Sequence, residues 1–201
     1  LVHVPYACAV RRGNETTLYI DYEGPLWDTM LFDALNIPDL LLSNGVGILH
    51  ASFIDVNGEG LLFAGPKQQG KSTQARLWSE HRGAGILNGD RAAIRPADAG
   101  LTAFSVPFCG SSRECKNAQT PVKAIVFPEK AKTNEALRLP PFDAFKRLIG
   151  CLSYTESDAV MQAAAVTLAE RAASALPCFL LRCRPDEGAV EATERALRIK
   201  N

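Results

Sequence analysis

The sequence has no surplus of charge of either sign: 22 Lys and Arg stand against 22 Asp and Glu in 201 residues. With no sustained basic stretch it lacks the electrostatic footprint of a nucleic-acid or anionic-membrane binder, and Arg11-Arg12 is too short a run to supply one. It also lacks a long apolar run. Charge-free stretches such as 40–54 and 159–169 carry polar residues or glycine and fall short of the roughly 20 apolar residues that a membrane span needs, so no transmembrane helix is expected. The six cysteines (Cys8, Cys109, Cys115, Cys151, Cys178 and Cys183) are scattered, without the paired spacing of a zinc site or the density of a disulfide scaffold, and are expected to be reduced thiols. The opening Leu1-Val2-His3-Val4-Pro5-Tyr6 shows neither an initiating methionine nor the plan of a signal peptide, from which we expect a trimmed chain or a fragment, and a cytoplasmic protein. A 47% hydrophobic content suffices for one globular domain over residues 1–201.

What the sequence does contain is Gly65-Pro66-Lys67-Gln68-Gln69-Gly70-Lys71-Ser72, which fits the phosphate-loop pattern G-x-x-x-x-G-K-[ST]. An apolar run, Gly60 to Ala64, reads as a short buried strand entering it, and Lys71 to His81 reads as the helix leaving it. Backbone N–H groups of such a loop, with the unpaired donors of the helix start, converge on a phosphate. Glycine is needed where the chain approaches closely or takes positive φ, and Gly65 and Gly70 fill those places. We therefore expect a nucleoside triphosphate site in which residues 65–72 and Thr73 hold the nucleotide. Lys71 would reach the β- and γ-phosphates, and Ser72 would offer its hydroxyl to Mg²⁺.

Two further residues are attached to this loop by spacing. Asn57-Gly58 signals a two-residue hairpin between an apolar strand, Gly47 to Asp55, and the strand into the loop. If Val56 faces Glu59, then Ile54 faces Leu61, Ser52 faces Phe63, and His50 faces Gly65. On the other side, the helix from Lys71 to His81 climbs about 16 Å and Gly85 to Asp90 descends about 17 Å. Asp90 thus returns to the level of the loop, on a strand expected to run parallel to Leu61–Ala64 in the same sheet. That is where a carboxylate for Mg²⁺ is wanted.

The rest of the chain reads as follows. Tyr6–Val10 and Thr16–Tyr22 form a hairpin that covers a sheet, and Leu26–Leu35 a helix. Asn36-Ile37-Pro38 is a breaker, followed by a helical turn over Asp39–Leu42. Ala92–Arg95, Leu101–Val106, Val122–Phe127 and Cys178–Leu181 are strands; Gly83 caps the helix after the loop; Asp143–Leu148 and Glu187–Leu197 are helices. Ser157 precedes a long helix over Asp158–Leu176 whose packing stripe is Val160, Ala164, Leu168, Ala172 and Leu176. The loop Pro107 to Asn117, with Gly110, Ser111, Ser112 and Arg113, reads equally as a polar surface loop or as one that meets phosphate.

The order of Leu49-His50-Ala51-Ser52, Gly70-Lys71-Ser72-Thr73-Gln74-Ala75-Arg76-Leu77-Trp78 and Ile86-Leu87-Asn88-Gly89-Asp90-Arg91 resembles the HPr kinase-like family. It is similar to the small bacterial proteins related to the catalytic domain of HPr serine kinase/phosphorylase, and more distantly to phosphoenolpyruvate carboxykinase. Pro107 to Ser112, Asn117 and Pro121 to Phe127 resemble later blocks of that subfamily, and the likeness spans residues 46–150. It implies an α/β phosphate-loop kinase core with mixed β-sheets packed with helices, in which residues 46–201 are the nucleotide-binding core and 1–45 an N-terminal strand and helix segment. It implies ATP and Mg²⁺ as cofactors and phosphorylation of a serine or similar hydroxyl. The acceptor would be a peptide or protein, since some relatives sit in clusters that make ribosomal peptides. It also favours Gly110 to Arg113 as an acceptor or phosphate loop.

One departure matters. The family carries two adjacent acidic residues, the first proposed as proton-transfer base and the second nearer the metal, where this chain has Gly89 and Asp90. Either Asp90 serves the metal and the base is lost or supplied elsewhere, for instance by His50, or Asp90 has taken the catalytic role. A kinase with Asp90, His50 and Lys71 as catalytic residues is the first reading. A nucleotide-binding accessory protein and a simple ATPase are the alternatives, and a second copy of the chain is left open as a partner.

Overall fold

The computed structural model describes residues 7–13, 15–21, 23–24, 28–97, 100–108 and 113–198. Asn57 and Gly58 take φ of 55° and 85°, the left-handed pair that a type I′ hairpin requires, and Asp55 Oδ1 accepts from the Gly58 N–H at 2.9 Å. β3 (Gly47–Val56) and β4 (Glu59–Ala64) therefore pair antiparallel with Val56 opposite Glu59, Ile54 opposite Leu61 and Ser52 opposite Phe63. The ladder closes at Ala51–Ala64, and beyond it Gly65 N donates to His50 O at 3.4 Å, which is the neighbourhood expected from the turn.

This hairpin sits in a nine-stranded sheet with β5 (Gly85–Asn88), β6 (Arg91–Ala97), β7 (Gly100–Ser105), β8 (Gln119–Lys130), β9 (Glu135–Arg138), β10 (Leu152–Ser153) and β11 (Cys178–Cys183). β3 changes partners along its length: residues 47–50 pair with β6 and 51–56 with β4, with β5 joining over 53–55. β8 does the same, pairing first with β7 and then with β4 and β11. The pairings β3–β6–β7–β8–β4 thus return to β3, and most of the sheet's hydrogen-bonding edges are used internally.

Side-chain alternation sorts the strands' apolar residues between two cores. Leu49, Ala51, Phe53, Leu62 and Ala64 face α4 (Pro141–Ile149) and α5 (Ala159–Ala175), whereas Ile54, Leu61 and Phe63 face α3 (Lys71–Arg82) and α6 (Glu187–Arg198). The result is a mixed α/β architecture with helices on both faces of a sheet. α3 ends where Gly83 turns left-handed at φ 64°, and β5 runs back antiparallel to β3. β5 therefore has the same direction as β4 within one sheet, as expected, but one strand removed, because β3 lies between them.

Several expectations are corrected. β1 (Ala7–Arg12) and β2 (Glu15–Ile20) do form a hairpin, but it stands as its own two-stranded sheet beside α1 (Asp28–Ala34) and does not cover the main one. Its described residues are mostly exposed, so neither of its faces is packed against the main sheet. Pro38 is inside α2 (Ile37–Leu42), not in a breaker, since proline is tolerated in a first turn; the break is Asn36, left-handed at φ 47°. Asp158 caps α5, accepting from Val160 N and Met161 N, where Ser157 was expected to precede a helix starting at Asp158. The expected stripe of α5 fails at its start: Val160 is 69% exposed, while Ala165, Leu168, Ala169, Ala172 and Ala173 are buried. A strict four-residue step gains about 40° per step on a helix with 3.6 residues per turn, so the stripe rotates off the core, and alternating threes and fours keep to it. Among the described residues no helix is long and apolar enough to cross a membrane.

Candidate functional site

The point where β3 changes partners is His50, and three chain segments meet there. His50 N donates to Cys151 O at 2.9 Å and His50 O accepts from Gly65 N, both on one edge, while on the other edge Ala51 N donates to Asp90 O at 3.0 Å. The start of the 65–72 loop and the turn after β5 are thereby fastened to adjacent residues of one strand.

The loop carries three positive φ values, 152° at Gly65, 66° at Gln68 and 96° at Gly70. A side chain on Gly65 would meet Gln69 Oε1 at 2.9 Å as well as being strained. Gly70 is the N-cap of α3 without any side-chain cap, and the first helical bond is from Gln74 N to Gly70 O at 2.9 Å. The N–H groups of Lys71, Ser72 and Thr73 therefore have no helical acceptor, and they carry the positive end of the helix dipole. Lys71 is only 6% exposed and folds back so that Nζ donates to Pro66 O at 2.8 Å. Burial holds its pKa below the ordinary 10.5, opposed by the nearby Asp90 carboxylate, and the Lys67 ammonium lowers it further.

The turn after β5 is shaped by Asn88, which is fully buried. Its Oδ1 accepts from Asp90 N at 3.0 Å and Arg91 N at 2.9 Å, and its Nδ2 donates to Val106 O at 2.9 Å. Gly89 is held from both sides. Its carbonyl accepts from Ser52 Oγ at 2.8 Å and stands 3.4 Å from Ser72 Oγ, and its N–H donates to Glu114 O at 3.1 Å. Asp90 presents its carboxylate to two partners, with Oδ1 3.3 Å from His50 Nε2 and Oδ2 3.3 Å from Arg91 Nε. The His50 hydrogen bond holds its pKa below the ordinary 3.8 against the effect of burial, and Arg91 adds to the lowering.

His50 and Asp90, picked out by spacing, and Lys71 and Ser72, picked out by the loop pattern, are thus brought together at one end of the sheet. Ser72 and Thr73 also line a cavity of about 430 Å³ with Arg76, Gly89 and Glu114. A second cavity of about 210 Å³, lined by Asn57, Trp78 and Lys123, lies at the hairpin end of the sheet and contains none of these residues. Of the expected acceptor loop, Gly110, Ser111 and Ser112 lie outside the described residues. Arg113 is exposed, left-handed at φ 54°, and forms no ion pair among the described residues. Sequence reasoning missed Ser52, Asn88 and Arg91. The first two had a signal: a hydroxyl on the His50 face of β3, and an Asn-Gly-Asp run directly after a strand, where asparagine commonly bonds the backbone two residues on.

Mg²⁺ prefers hard oxygen donors, one or two of them carboxylates, with phosphate oxygens and water completing its shell. The donors present fit that preference, since Asp90 supplies a carboxylate and Ser72, 3.4 Å from the Gly89 carbonyl just before it, a hydroxyl. Among the described residues no group of three or more His, Cys, Asp or Glu side chains forms an all-protein metal cage.

No family model matches the chain, and no curated protein matches it. Among solved structures it is similar to the HPr(Ser) kinase/phosphatase from Coxiella burnetii, at 14% identity over 75% of this chain and 95% of that one, with a TM-score of 0.42. At that identity and score the similarity is distant and assigns no residue a role.

Proposed function

We propose that the chain is a cytoplasmic, ATP-dependent phosphotransferase, one kinase-like domain that moves the γ-phosphoryl group to a serine or similar hydroxyl of a peptide or protein. The observation that carries this reading is the meeting of a glycine-bounded loop, a buried lysine and a single carboxylate at the uncapped start of α3. Residues 65–72 and Thr73 bind the phosphates through backbone N–H groups, and Lys71 swings from Pro66 O to the β- and γ-oxygens. Ser72 and Asp90 hold Mg²⁺, which when bound neutralises charge on the phosphate oxygens.

In the transfer, the acceptor oxygen forms a bond to the γ-phosphorus while the bond from that phosphorus to the β,γ-bridging oxygen breaks, and ADP leaves with the bond's electrons. The acceptor's proton passes to His50 or Asp90, which already face each other at 3.3 Å. Positioning and charge stabilisation supply most of the acceleration in this chemistry, so a single carboxylate beside Gly89 is compatible with turnover.

The test is titration of MgATP into the wild-type chain, Lys71→Ala and Asp90→Asn, followed by incubation with labelled ATP and serine-containing peptides. Lys71→Ala loses about 100-fold in affinity or more. Asp90→Asn keeps much of the binding and loses Mg²⁺-dependent transfer. Unchanged affinity in Lys71→Ala sinks the site assignment. A second reading, a nucleotide-binding accessory protein, is favoured by the occupation of the one carboxylate by both His50 and Arg91. It predicts tight binding with no phosphoproduct from any peptide, whereas release of phosphate without acceptor marks an ATPase.

A further inference from the structure

We propose that Arg91 binds the terminal phosphoryl group of the nucleotide and that Phe32, on α1, is its positioning residue; this rests on the nucleotide reading above. Arg91 opens β6 directly opposite His50. Because His50 spends its own N–H and C=O on the other edge of β3, the two form a non-hydrogen-bonded pair, the kind in which side chains stand closest. Arg91 thus stands over the loop side of the sheet.

Two contacts fix its guanidinium plane. Nε lies 3.3 Å from Asp90 Oδ2, and Cζ lies 4.3 Å over the Phe32 ring. Phe32 is itself only 2% exposed and packs edge-on against Phe108 with centroids 4.6 Å apart, so the plate under the cation is rigid. These contacts hold one face and one nitrogen. The two Nη groups have no hydrogen-bond partner among the described residues, although the side chain is only 24% exposed. A structural arginine in this same chain is satisfied quite differently: Arg82 gives Nε and Nη2 to Glu194 at 2.9 Å each and Nη1 to Glu187 at 3.0 Å.

The charge around Arg91 points to the missing partner. Three cations gather here, Arg91 bonded to Asp90, Lys71 in electrostatic reach of the same carboxylate and Lys67 near Lys71, against the carboxylates of Asp90 and Glu114, in a chain whose formal net charge is zero. A local cationic excess of this kind attracts an anion, and the planar fork left open by Arg91 matches two oxygens of a phosphoryl group. Lys71 lies in electrostatic reach of Asp90, the carboxylate to which Arg91 is bonded. A terminal phosphate between Lys71 and Arg91 would be held from two sides, and Arg91 would stabilise the charge on its oxygens during transfer without gaining or losing a proton. The same arrangement gives the N-terminal segment a purpose, since α1 carries the ring on which Arg91 rests.

The experiment compares MgATP and MgADP binding to the full chain, because only the triphosphate carries the group in question. In the wild type both bind. Arg91→Gln weakens MgATP by about ten- to hundredfold while MgADP stays within about twofold. Arg91→Lys, which keeps the charge and loses the fork, falls between. Phe32→Leu, which keeps apolar volume and loses the ring face, lowers the ATP-to-ADP preference by about threefold. A structural role for either residue would weaken both nucleotides alike. Equal loss for ATP and ADP in the two Arg91 variants, or no loss in either, overturns the assignment while leaving the nucleotide site standing. Failure of the wild type to bind either nucleotide overturns the site and this inference with it.

Discussion

The two ends of α3 carry charged clusters built in opposite ways. At its C-terminal end Arg82 is bonded to Glu194 and Glu187 at 2.9–3.0 Å, and His81 adds a 3.7 Å contact to Glu187. These hydrogen bonds push the Arg82 pKa up, and basic residues here also suit the helix dipole. At the N-terminal end the Asp90 contacts are longer, at 3.3 Å, and a lysine ammonium is buried against a backbone carbonyl. One end has its charges matched and the other does not. The matched end fastens α6 to α3; the unmatched end is where the reading proposed above places the phosphates.

This contrast breaks if the ends respond alike to loss of their central cation. Lys71→Met removes an ammonium whose burial is unfavourable, so its melting temperature stays level or rises while MgATP binding is lost. Arg82→Ala leaves Glu194 and Glu187 without their common partner and lowers the melting temperature. Its MgATP affinity stays within about twofold, because the two ends lie at opposite ends of a twelve-residue helix. Thermal melts and nucleotide titrations on the two variants check both halves. A Lys71→Met protein that melts well below the wild type would make the N-terminal cluster structural.

A sharper version uses the glycines that bracket the helix. Gly83 and Gly70 take φ of 64° and 96°, and a methyl group added to either meets nothing within 4 Å. Any loss on substitution by alanine is therefore conformational. Gly83→Ala costs about 1 kcal/mol of stability, measured by denaturant unfolding, and leaves nucleotide affinity unchanged. Gly70→Ala carries a similar stability loss and also weakens MgATP, since the same backbone conformation aims the N–H groups of residues 71–73. Equal nucleotide affinity in the two variants would separate the loop's geometry from binding.

What was legible in the sequence was whatever short-range rules determine. The Asn57-Gly58 turn carried the register out to His50, and Gly83 with the helix length returned Asp90 to the loop's level. Those are constraints between neighbours, or between the ends of one regular element. What was not legible depends on packing between distant segments. Phe32 and Arg91 are far apart in the chain, and nothing local in either predicts that one becomes the plate for the other. The hydroxyl of Ser52 finds Gly89 O only because β5 lies beside β3, an adjacency the crossover length does not determine. The hairpin β1–β2 was legible as a hairpin, but its separation from the main sheet was not, because pairing partners are chosen by tertiary context.

The smallest expected effect concerns acid. Asp90 has a folded pKa below the ordinary 3.8, chiefly through His50, so its ionised form favours the folded state. That contribution is fully present above pH 3.8 and disappears as the pH falls through the lower folded value. The difference in melting temperature between wild type and Asp90→Asn should be flat from neutral pH down to that window and shrink below it. Its size is modest, because the carboxylate is 30% exposed and solvent screens both of its partners. If the Asp90 difference grows as the pH falls, the carboxylate is not held in its charged form by His50 and Arg91, and the unmatched end has been misread at its centre.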